Sequence, residues 1–426
     1  MAKIDDSVKK KVPELRFPGF TDDWEERKFE SLLDKNEGVR RGPFGSALKK
    51  DLFVKESPYV VYEQQNAIYD HYETRYNISK EKFEELHKFE LIADDFIMSG
   101  AGTIGRISKV PKGIKKGVFN QALIRFRINK ELTDSEYFLQ FIRADFMQRK
   151  LTGANPGSAI TNLVPMSDVK KWEIKVPIKE EQQKIGSFFK QLDNTIALHQ
   201  RKLDLLKEQK KGYLQKMFPK NGEKVPELRF AGFADDWEER KLGDIGDTFT
   251  GLTGKTKEDF GHGSAKFVTY VNVFQNPIAT LDQLDAVEID EKQNQVQKGD
   301  VFFTTSSETP EEVGMSSVWT YDTKNVYLNS FTFGYRPRVS FDLNYMASML
   351  RSPSIRKKIT FLAQGISRYN ISKTKMLEIE IPAPNLSEQK KIGSFFKLLD
   401  DTIALHQRKL DLLKEQKKGY LQKMFV

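Results

Sequence analysis

Apolar residues recur at alternating steps of four and three along two long stretches of the chain. The first stretch carries this seam at Ile185, Phe189, Leu192, Ile196, His199, Leu203, Leu206, Lys210, Tyr213 and Met217, and the second at Ile392, Phe396, Leu399, Ile403, His406, Leu410, Leu413, Lys417, Tyr420 and Met424. Heptad spacing sustained for this length is typical of a coiled coil. It predicts two long helices, each of about 33 residues and roughly 50 Å.

The ends of both helices are also visible in the sequence. Glu180-Glu181 precede the first seam and Ser387-Glu388 open the second. Such residues stabilise a helix N-terminus by supplying acceptor oxygens and negative charge. Pro219 is expected to end the first helix. Because the two seams match, we expect the helices to pair, and the sequence leaves their orientation open.

His199 and His406 occupy equivalent positions near the middle of the two seams. No nucleophile or acid pair accompanies them, so a polar residue that sets the register of the helix pair is favoured over a catalytic histidine. The neighbouring Lys207, Lys210 and Lys211 indicate either a solvated helix face or a docking surface for a partner subunit.

The chain contains an internal duplication. The repeated blocks are Val12–Phe17 with Val225–Phe230, Asp22–Lys28 with Asp235–Lys241, and Thr195–Phe218 with Thr402–Phe425. The segments between them, residues 29–160 and 242–367, share only a skeleton. Uneven drift after a recent duplication does not easily explain why one block stayed identical while its neighbour changed. The pattern therefore predicts one fold that carries two different surfaces.

The variable segments combine strand and helix patterns. Leu123–Ile128 alternates polar and apolar residues at the two-residue period of a strand. Further strands are expected at Phe96–Ser99, Gly117–Asn120, Val268–Val273, Asp300–Thr305 and Val326–Phe333. One amphipathic helix per half follows, near Ser135–Leu151 and Leu343–Leu362. Each half is therefore predicted to be a mixed α/β domain.

Charge and composition narrow the choice of partners. The 426 residues carry a net charge of +9, which either favours a polyanionic partner or serves solubility alone. The chain has no cysteine and only five dispersed histidines, so neither a disulfide nor a metal site is expected. A polar N-terminus and the lack of an apolar run of about 18 residues predict a cytoplasmic protein that does not enter a membrane.

Two segments imitate enzyme motifs without completing them. Gly100–Gly105 matches a dinucleotide-binding glycine pattern, but a second strand is expected after it and Arg125 stands where an acid is needed. Gly254–Thr256 ends like a phosphate-binding loop, but Phe249 replaces its leading glycine. No complete ATP, methyl-donor or nuclease motif is found. We therefore expect neither a catalytic centre nor a cofactor.

Three motifs give the chain its resemblance to a known family. The first, from Gly365 to Ile392, reads Gly-x-x-x-x-Asn-Ile…Ile-x-Ile-Pro-x-Pro-x-x-x-Glu-Gln-x-x-Ile. The second is a weaker copy from Asn162 to Ile185, which departs from the pattern at Pro165. The third is the Glu-Leu-Arg-Phe-x-Gly-Phe…Asp-Trp-Glu block ahead of each variable segment. Over nearly its whole length the chain resembles the specificity subunit of type I restriction–modification systems.

The resemblance implies an α+β fold with two tandem, pseudo-symmetric target recognition domains and two long conserved helices that pair as an antiparallel coiled coil. The implied boundaries are 1–178 for the N-terminal segment and first target recognition domain, 179–218 for the first spacer helix, 219–385 for the linker and second target recognition domain, and 386–426 for the second spacer helix.

The resemblance also implies partners. Each target recognition domain would read one half of a split site in double-stranded DNA, and the helix pair would set the gap. Two modification subunits that methylate adenine would bind the repeated helical regions, and motor–nuclease subunits would join for ATP-driven restriction. Two alternatives stay open: a coiled-coil scaffold that binds proteins instead of DNA, and a self-sufficient fused enzyme.

Loop composition together with position in the family selects the candidate DNA contacts. Lysines and backbone amides suit phosphates, whereas Arg, Asn and Gln suit purine edges. The candidates are Arg40, Arg41, Ser46, Lys49, Lys50, Asn120, Gln121, Asn155, Ser158, Asn162, Thr253, Lys255, Lys257, Ser306, Asn329, Arg368, Tyr369, Asn370 and Lys373.

Overall fold

The structure, a computed structural model, describes residues 12–153, 163–220 and 222–425. The chain divides into two units, residues 1–199 with 409–426 and residues 200–408. The long helices Lys179–Lys216 and Leu386–Lys423 each contribute one part to each unit. Along the described residues, no helix has both the length and the apolar character that crossing a membrane requires.

Short strands and helices build the first unit. One sheet has the strand order Val39–Arg41, Leu123–Phe126, Phe96–Ser99, Ile107–Lys109, another the order Phe53–Val54, Tyr76–Ile78, Tyr59–Tyr62, Gly117–Phe119, and Glu25–Lys28 pairs with Glu173–Val176. The remaining helices are Gln64–Tyr69, Lys80–Glu85, Ser135–Arg143, Asp145–Thr152 and Met166–Val169, and the 3-10 turns are Phe29–Leu32, Gly45–Leu48, Lys50–Leu52 and His87–Phe89.

The second unit has the same plan with local differences. Its sheets have the strand orders Gly246–Thr250, Thr332–Pro337, Val301–Thr304, Ser316–Val318; Leu284–Val287, Phe260–Val268, Val326–Leu328; Ser306–Ser307, Tyr369–Asn370; and Glu238–Lys241, Glu380–Ala383. The remaining helices are Leu242–Ile245, Tyr270–Gln275, Leu343–Leu350, Pro353–Phe361 and Lys373–Leu377, and the 3-10 turns are Lys257–Asp259, Leu281–Gln283 and Pro310–Glu312. The first sheet named in each unit has its four strands in the equivalent order, so the prediction of one fold used twice is confirmed.

Two predicted strands differ from the structure. The strand expected at Val268–Val273 is wrong after Val268, because Thr269 accepts a hydrogen bond from the backbone N–H of Asn272 and starts the helix Tyr270–Gln275. The strand expected at Val326–Phe333 is broken by a turn at Asn329, whose side-chain oxygen accepts from a backbone N–H two residues on.

Both predicted amphipathic helices are split in two. Ala144 adopts an extended conformation between Ser135–Arg143 and Asp145–Thr152. In the other half, Pro353 starts a new helix after the break that follows Leu350. Hydrophobic periodicity continues across both breaks, so it could not reveal them.

Aromatic side chains from the ends of the long helices complete each core. In the first unit, the Phe425 ring centroid lies 5.6 Å from that of Tyr137 and 6.0 Å from that of Phe189. In the second unit, the ring centroid of Phe218 lies 5.7 Å from that of Tyr345 and 5.8 Å from that of Phe396, the equivalent of Phe189. Complete burial of one such ring contributes about 1.5–3 kcal/mol.

The helix segments run antiparallel within each unit. In the first unit, Phe188 packs on Tyr420 with centroids 5.0 Å apart, and Asp193 pairs with Lys417 at 2.6 Å. The equivalent residues make both contacts in the second unit. The ring centroids of Tyr213 and Phe395 lie 4.9 Å apart, and Lys210 Nζ lies 2.5 Å from Asp400 Oδ1. In each unit, residue numbers increase along one helix while they decrease along its partner. The expected antiparallel pairing is therefore confirmed.

Burial along the predicted seam varies with position. The seam residues are fully buried near the helix ends and at Leu203, Leu206, Leu410 and Leu413, and half-buried at the remaining positions, including His199 and His406. Both histidines have interaction partners.

A buried glutamate joins the repeated N-terminal block to each long helix. Glu181 is 0% exposed and accepts from Arg16 through Nε at 2.6 Å and Nη2 at 2.8 Å, and from Trp24 Nε1 at 3.2 Å. In the second unit, Arg229 and Trp237 make the same contacts to Glu388. We name these two sets the glutamate clamps.

The glutamate clamps give the acids at the helix starts a second role. Glu181 and Glu388 lie in the first turns of the long helices, as expected, and each is also buried against an arginine and a tryptophan. Asn385, and not Ser387, caps the second long helix by accepting the backbone N–H of Glu388 at 2.9 Å.

The glutamine of each Glu-Gln pair is buried as well. Gln182 accepts the Asp134 N–H at 2.9 Å and donates to Leu132 O and Pro177 O, both at 3.0 Å. The Glu-Gln motif therefore fastens the variable domain to the helix, with every polar group satisfied.

Candidate nucleic-acid interface

In the second unit, loops from separate parts of the sequence meet along one edge. Gly251 packs directly on the turn at Asn329, where a Cβ added to the glycine would lie 2.0 Å from the Asn329 carbonyl oxygen. The backbone of Thr305 donates to Phe331 O at 3.1 Å. Strand Ser306–Ser307 then pairs with Tyr369–Asn370.

We call this surface loop edge 2 and define it by residues 251–253, 305–306, 329–331 and 364–370. It brings together six of the candidates, namely Thr253, Ser306, Asn329, Arg368, Tyr369 and Asn370. Together they span residues 253–370 of the chain. The loops that carry these candidates therefore contact one another in the fold.

The candidates on loop edge 2 differ in what they present. Thr253, Arg368 and Asn370 are exposed, and Tyr369 is half-buried. Asn329 is 5% exposed; its amide donates to Val268 O at 2.9 Å and its oxygen accepts the Phe331 N–H at 2.9 Å.

Two candidates on this edge are better explained as structural. The side-chain amide and oxygen of Asn329 both form hydrogen bonds within the fold, and these stabilise the turn. Ser306 is 9% exposed and lies within a paired strand. We therefore retain only the exposed and half-buried members as proposed contacts.

Three lysine candidates of the second unit lie outside the defined edge. Lys255 is half-buried beside Asp290, with Nζ 3.0 Å from a carboxylate oxygen, and this hydrogen bond raises the pKa of Lys255. Lys257 is exposed at the start of a 3-10 turn, and Lys373 is half-buried at the first position of a helix.

The first unit has an equivalent edge. Gly42 packs on the turn at Asn120, where an added Cβ would lie 1.9 Å from the Asn120 carbonyl oxygen. Gly100 donates to Ala122 O at 2.7 Å, and Asn120 accepts from the backbone N–H of Ala122 at 3.1 Å. We define loop edge 1 by residues 40–50, 100–101 and 120–122.

Most candidates on loop edge 1 are available to a ligand. Arg41, Ser46, Lys49, Lys50 and Gln121 are exposed.

The remaining members of the first unit are less free or undescribed. Arg40 and Asn120 are half-buried, and Arg40 pairs with Glu37 at 2.9 Å. Asn155, Ser158 and Asn162 lie outside the described residues, so the prediction for these three stays a prediction.

Sequence reasoning missed the apolar side chains at these edges. Phe44 is 81% exposed between the arginines and lysines of loop edge 1. Phe331 and Ile366 are 62% and 96% exposed on loop edge 2. Their positions between candidate polar residues were the available signal, but a choice of residues by hydrogen-bonding capacity does not include apolar side chains.

Both edges present polar side chains that can bind a ligand. In residues 12–153, 163–220 and 222–425, no group of three or more His, Asp or Glu side chains is placed to hold a metal ion. Exposed Arg, Lys, Gln, Asn and Thr side chains offer hydrogen bonds to phosphates and base edges. Two edges of the same build but different residues are the features expected of a DNA-reading protein with two recognition surfaces.

Comparison with known proteins gives the particular family. The profile of the type I restriction modification DNA specificity domain matches residues 21–208 and 234–415. The chain belongs to this family, and sequence-specific DNA recognition is the function that the family carries. The resemblance identified in the sequence is thereby confirmed, and these matches do not favour the protein-binding scaffold.

Individual relatives agree with the family. A putative type I restriction enzyme MjaX specificity subunit from Methanocaldococcus jannaschii is 26% identical over 358 residues, which cover 79% of each chain. The MjaVIII specificity subunit of the same organism is 23% identical over 317 residues, covering 71% of this chain and 72% of the relative. The fold resembles that of the type I restriction–modification S subunit from M. genitalium, with a TM-score of 0.60, 17% identity and coverage of 97% and 99%.

Proposed function

We propose that this chain directs adenine methylation and ATP-dependent restriction by a type I system to a bipartite, asymmetric DNA site. Loop edge 1 reads one half-site and loop edge 2 reads the other. The paired long helices act as the spacer that sets the gap between them. The domain boundaries implied by the resemblance are part of this proposal.

The observation that carries the proposal is the contrast between the two kinds of surface. The helix contacts Phe188 with Tyr420 and Tyr213 with Phe395 are the same contact made twice. The residues displayed on the two loop edges differ, as the exposed Gln121 of loop edge 1 and the exposed Ser330 of loop edge 2 illustrate. Identical frames with different reading loops suit a target whose halves differ in sequence.

The chain is proposed to be non-catalytic and to need no cofactor of its own. Its family and its relatives are named for specificity, which supports a recognition role. Two modification subunits would supply methylation and would dock on the repeated helical regions, which occur once per unit. Motor–nuclease subunits would supply restriction. A cytoplasmic location follows from these partners and from the DNA.

The test is methylome sequencing of a host that expresses the chain with its cognate modification subunit. Residues 29–160 are replaced in one variant and residues 242–367 in another, each by the corresponding segment of a different specificity subunit. We expect a split, adenine-methylated motif in which each replacement changes a different half and leaves the gap unchanged. A contiguous motif, or a folded complex that methylates nothing, would contradict split-site recognition.

A further inference from the structure

A short hairpin projects from loop edge 2. The backbone N–H of Gln364 donates to Asn370 O at 2.9 Å, and the N–H of Asn370 donates back to Gln364 O at 2.8 Å. These two bonds close a loop whose first residue is Gly365, with φ +138°, a conformation that favours glycine. The next residue, Ile366, is 96% exposed at the tip.

The base of this hairpin is anchored. Asn370 pairs with Ser306 in a two-stranded sheet, and the Tyr270 hydroxyl donates to the Ser306 carbonyl oxygen at 3.1 Å. The following residue, Ile371, is 4% exposed and belongs to the hydrophobic core of the unit. Ile366 is therefore held outward by a fixed support.

The residues beside Ile366 carry groups of the kind that contact DNA. Ser367 and Arg368 are exposed beside it, so the tip combines an apolar side chain with a cation and a hydroxyl. Phe331, 62% exposed, lies on the same loop edge. A hairpin tip that carries a cation can lie in a groove between phosphates, where an aliphatic side chain can pack against thymine methyl groups and base faces. Burial of its apolar surface would then favour binding.

We propose that Ile366 enters a groove of the duplex and packs against the bases, which makes the hairpin tip a specificity-determining contact of the second unit. Arg368 positions the tip on the neighbouring phosphate or base edge. The inference rests on the proposed function and adds to it a residue that reads by shape and apolar contact, not by hydrogen bonding.

The experiment compares methylomes of the complete complex with the wild-type chain, Ile366→Ala and Leu281→Ala. Leu281, 46% exposed elsewhere in the second unit, is the matched control for loss of a surface aliphatic side chain. We expect Ile366→Ala to relax one base pair of the half-site that is retained when residues 29–160 are replaced. Discrimination at that base pair should fall roughly tenfold. The control should reproduce the wild-type motif.

Two outcomes would overturn the inference. An unchanged motif would show that the tip does not contact bases. A uniform fall in methylation with every base pair still required would place Ile366 on a phosphate or on a partner subunit. Thermal unfolding of Ile366→Ala should match that of the wild type, since the side chain touches little of the folded chain. A wild-type complex that yields no split motif would instead defeat the proposed function itself.

Discussion

The glutamate clamp of the first unit allows a direct test of whether the repeated N-terminal block stabilises the fold. Glu181→Ala removes the acceptor for Arg16 and for the indole N–H of Trp24, which is 4% exposed. The arginine and the indole would then lie in the fold without their carboxylate partner. We expect the block to loosen from the helix and the first unit to lose stability.

The size of the loss follows from burial. Removal of one partner of a buried ion pair costs about 3–5 kcal/mol. Water can reach Arg16, whose side chain is 15% exposed, so the lower end of about 3 kcal/mol is expected. In a unit of about 200 residues this corresponds to a fall of roughly 6–12 °C in the unfolding temperature. Glu181→Gln keeps the shape and part of the hydrogen bonding, and should cost about half as much.

The assay is scanning calorimetry of the full chain at neutral pH. Glu180→Ala, an exposed neighbour on the same helix, is the control and should change stability by no more than about 0.5 kcal/mol. Glu388→Ala should reproduce the large effect in the second unit. If Glu181→Ala and Glu180→Ala shift the unfolding temperature equally, the clamp does not contribute as argued.

Three further predictions follow from other sites. Leu206→Asp places a carboxylate at a seam position that is 6% exposed, so it should lower the free energy of unfolding by at least about 3 kcal/mol and abolish methylation at a fixed gap. Leu205→Asp, on the exposed face of the same helix, should do neither. An unchanged gap requirement in Leu206→Asp would refute the spacer role. Arg368→Ala should weaken recognition of one half-site by about 1–3 kcal/mol in a binding assay, and equal loss on unrelated duplexes would make it a phosphate contact. The hydrogen bond from the Arg125 guanidinium at 2.6 Å lowers the pKa of Glu37 from its ordinary 4.5, so this pair stabilises the fold above about pH 4.5 and the stabilisation is lost as the pH falls further. Glu37→Gln should remove that part of the acid sensitivity, and identical dependence of unfolding on pH between about 5 and 3 in both proteins would contradict the assignment.

The long helices were predictable because their pattern is local and repeated. Steps of four and three from Ile185 to Met217 specify one helix face, and the identical second copy specifies the same face again. The antiparallel orientation could not be deduced, since it is set by contacts such as Asp193 with Lys417 that join distant parts of the chain. The glutamate clamps were also hidden, because sequence alone does not reveal that an acid at a helix start is buried.

The candidate interface was predictable in composition but not in detail. Arg368 and Arg41 are exposed on the loop edges, as their residue type suggests. Asn329 has the same type of side chain as Asn370, yet tertiary hydrogen bonds bury it in a turn. Thr269 illustrates the same limit for the fold, since one capping hydroxyl outweighs the strand propensity of Val271 and Val273.

The shared construction of the first unit has a consequence for how the protein is made. Its core includes Met424 and Phe425, which are synthesised after the whole of the second unit. During synthesis of the second unit, the hydrophobic surface around Tyr137 and Phe189 is therefore not yet covered by Met424 and Phe425. Residues 195–218, identical in sequence to 402–425, emerge long before the correct segment. Productive folding thus requires that residues 195–218 either do not occupy the site of residues 402–425 or are later replaced there. The order of synthesis therefore contributes to the selection of the native pairing.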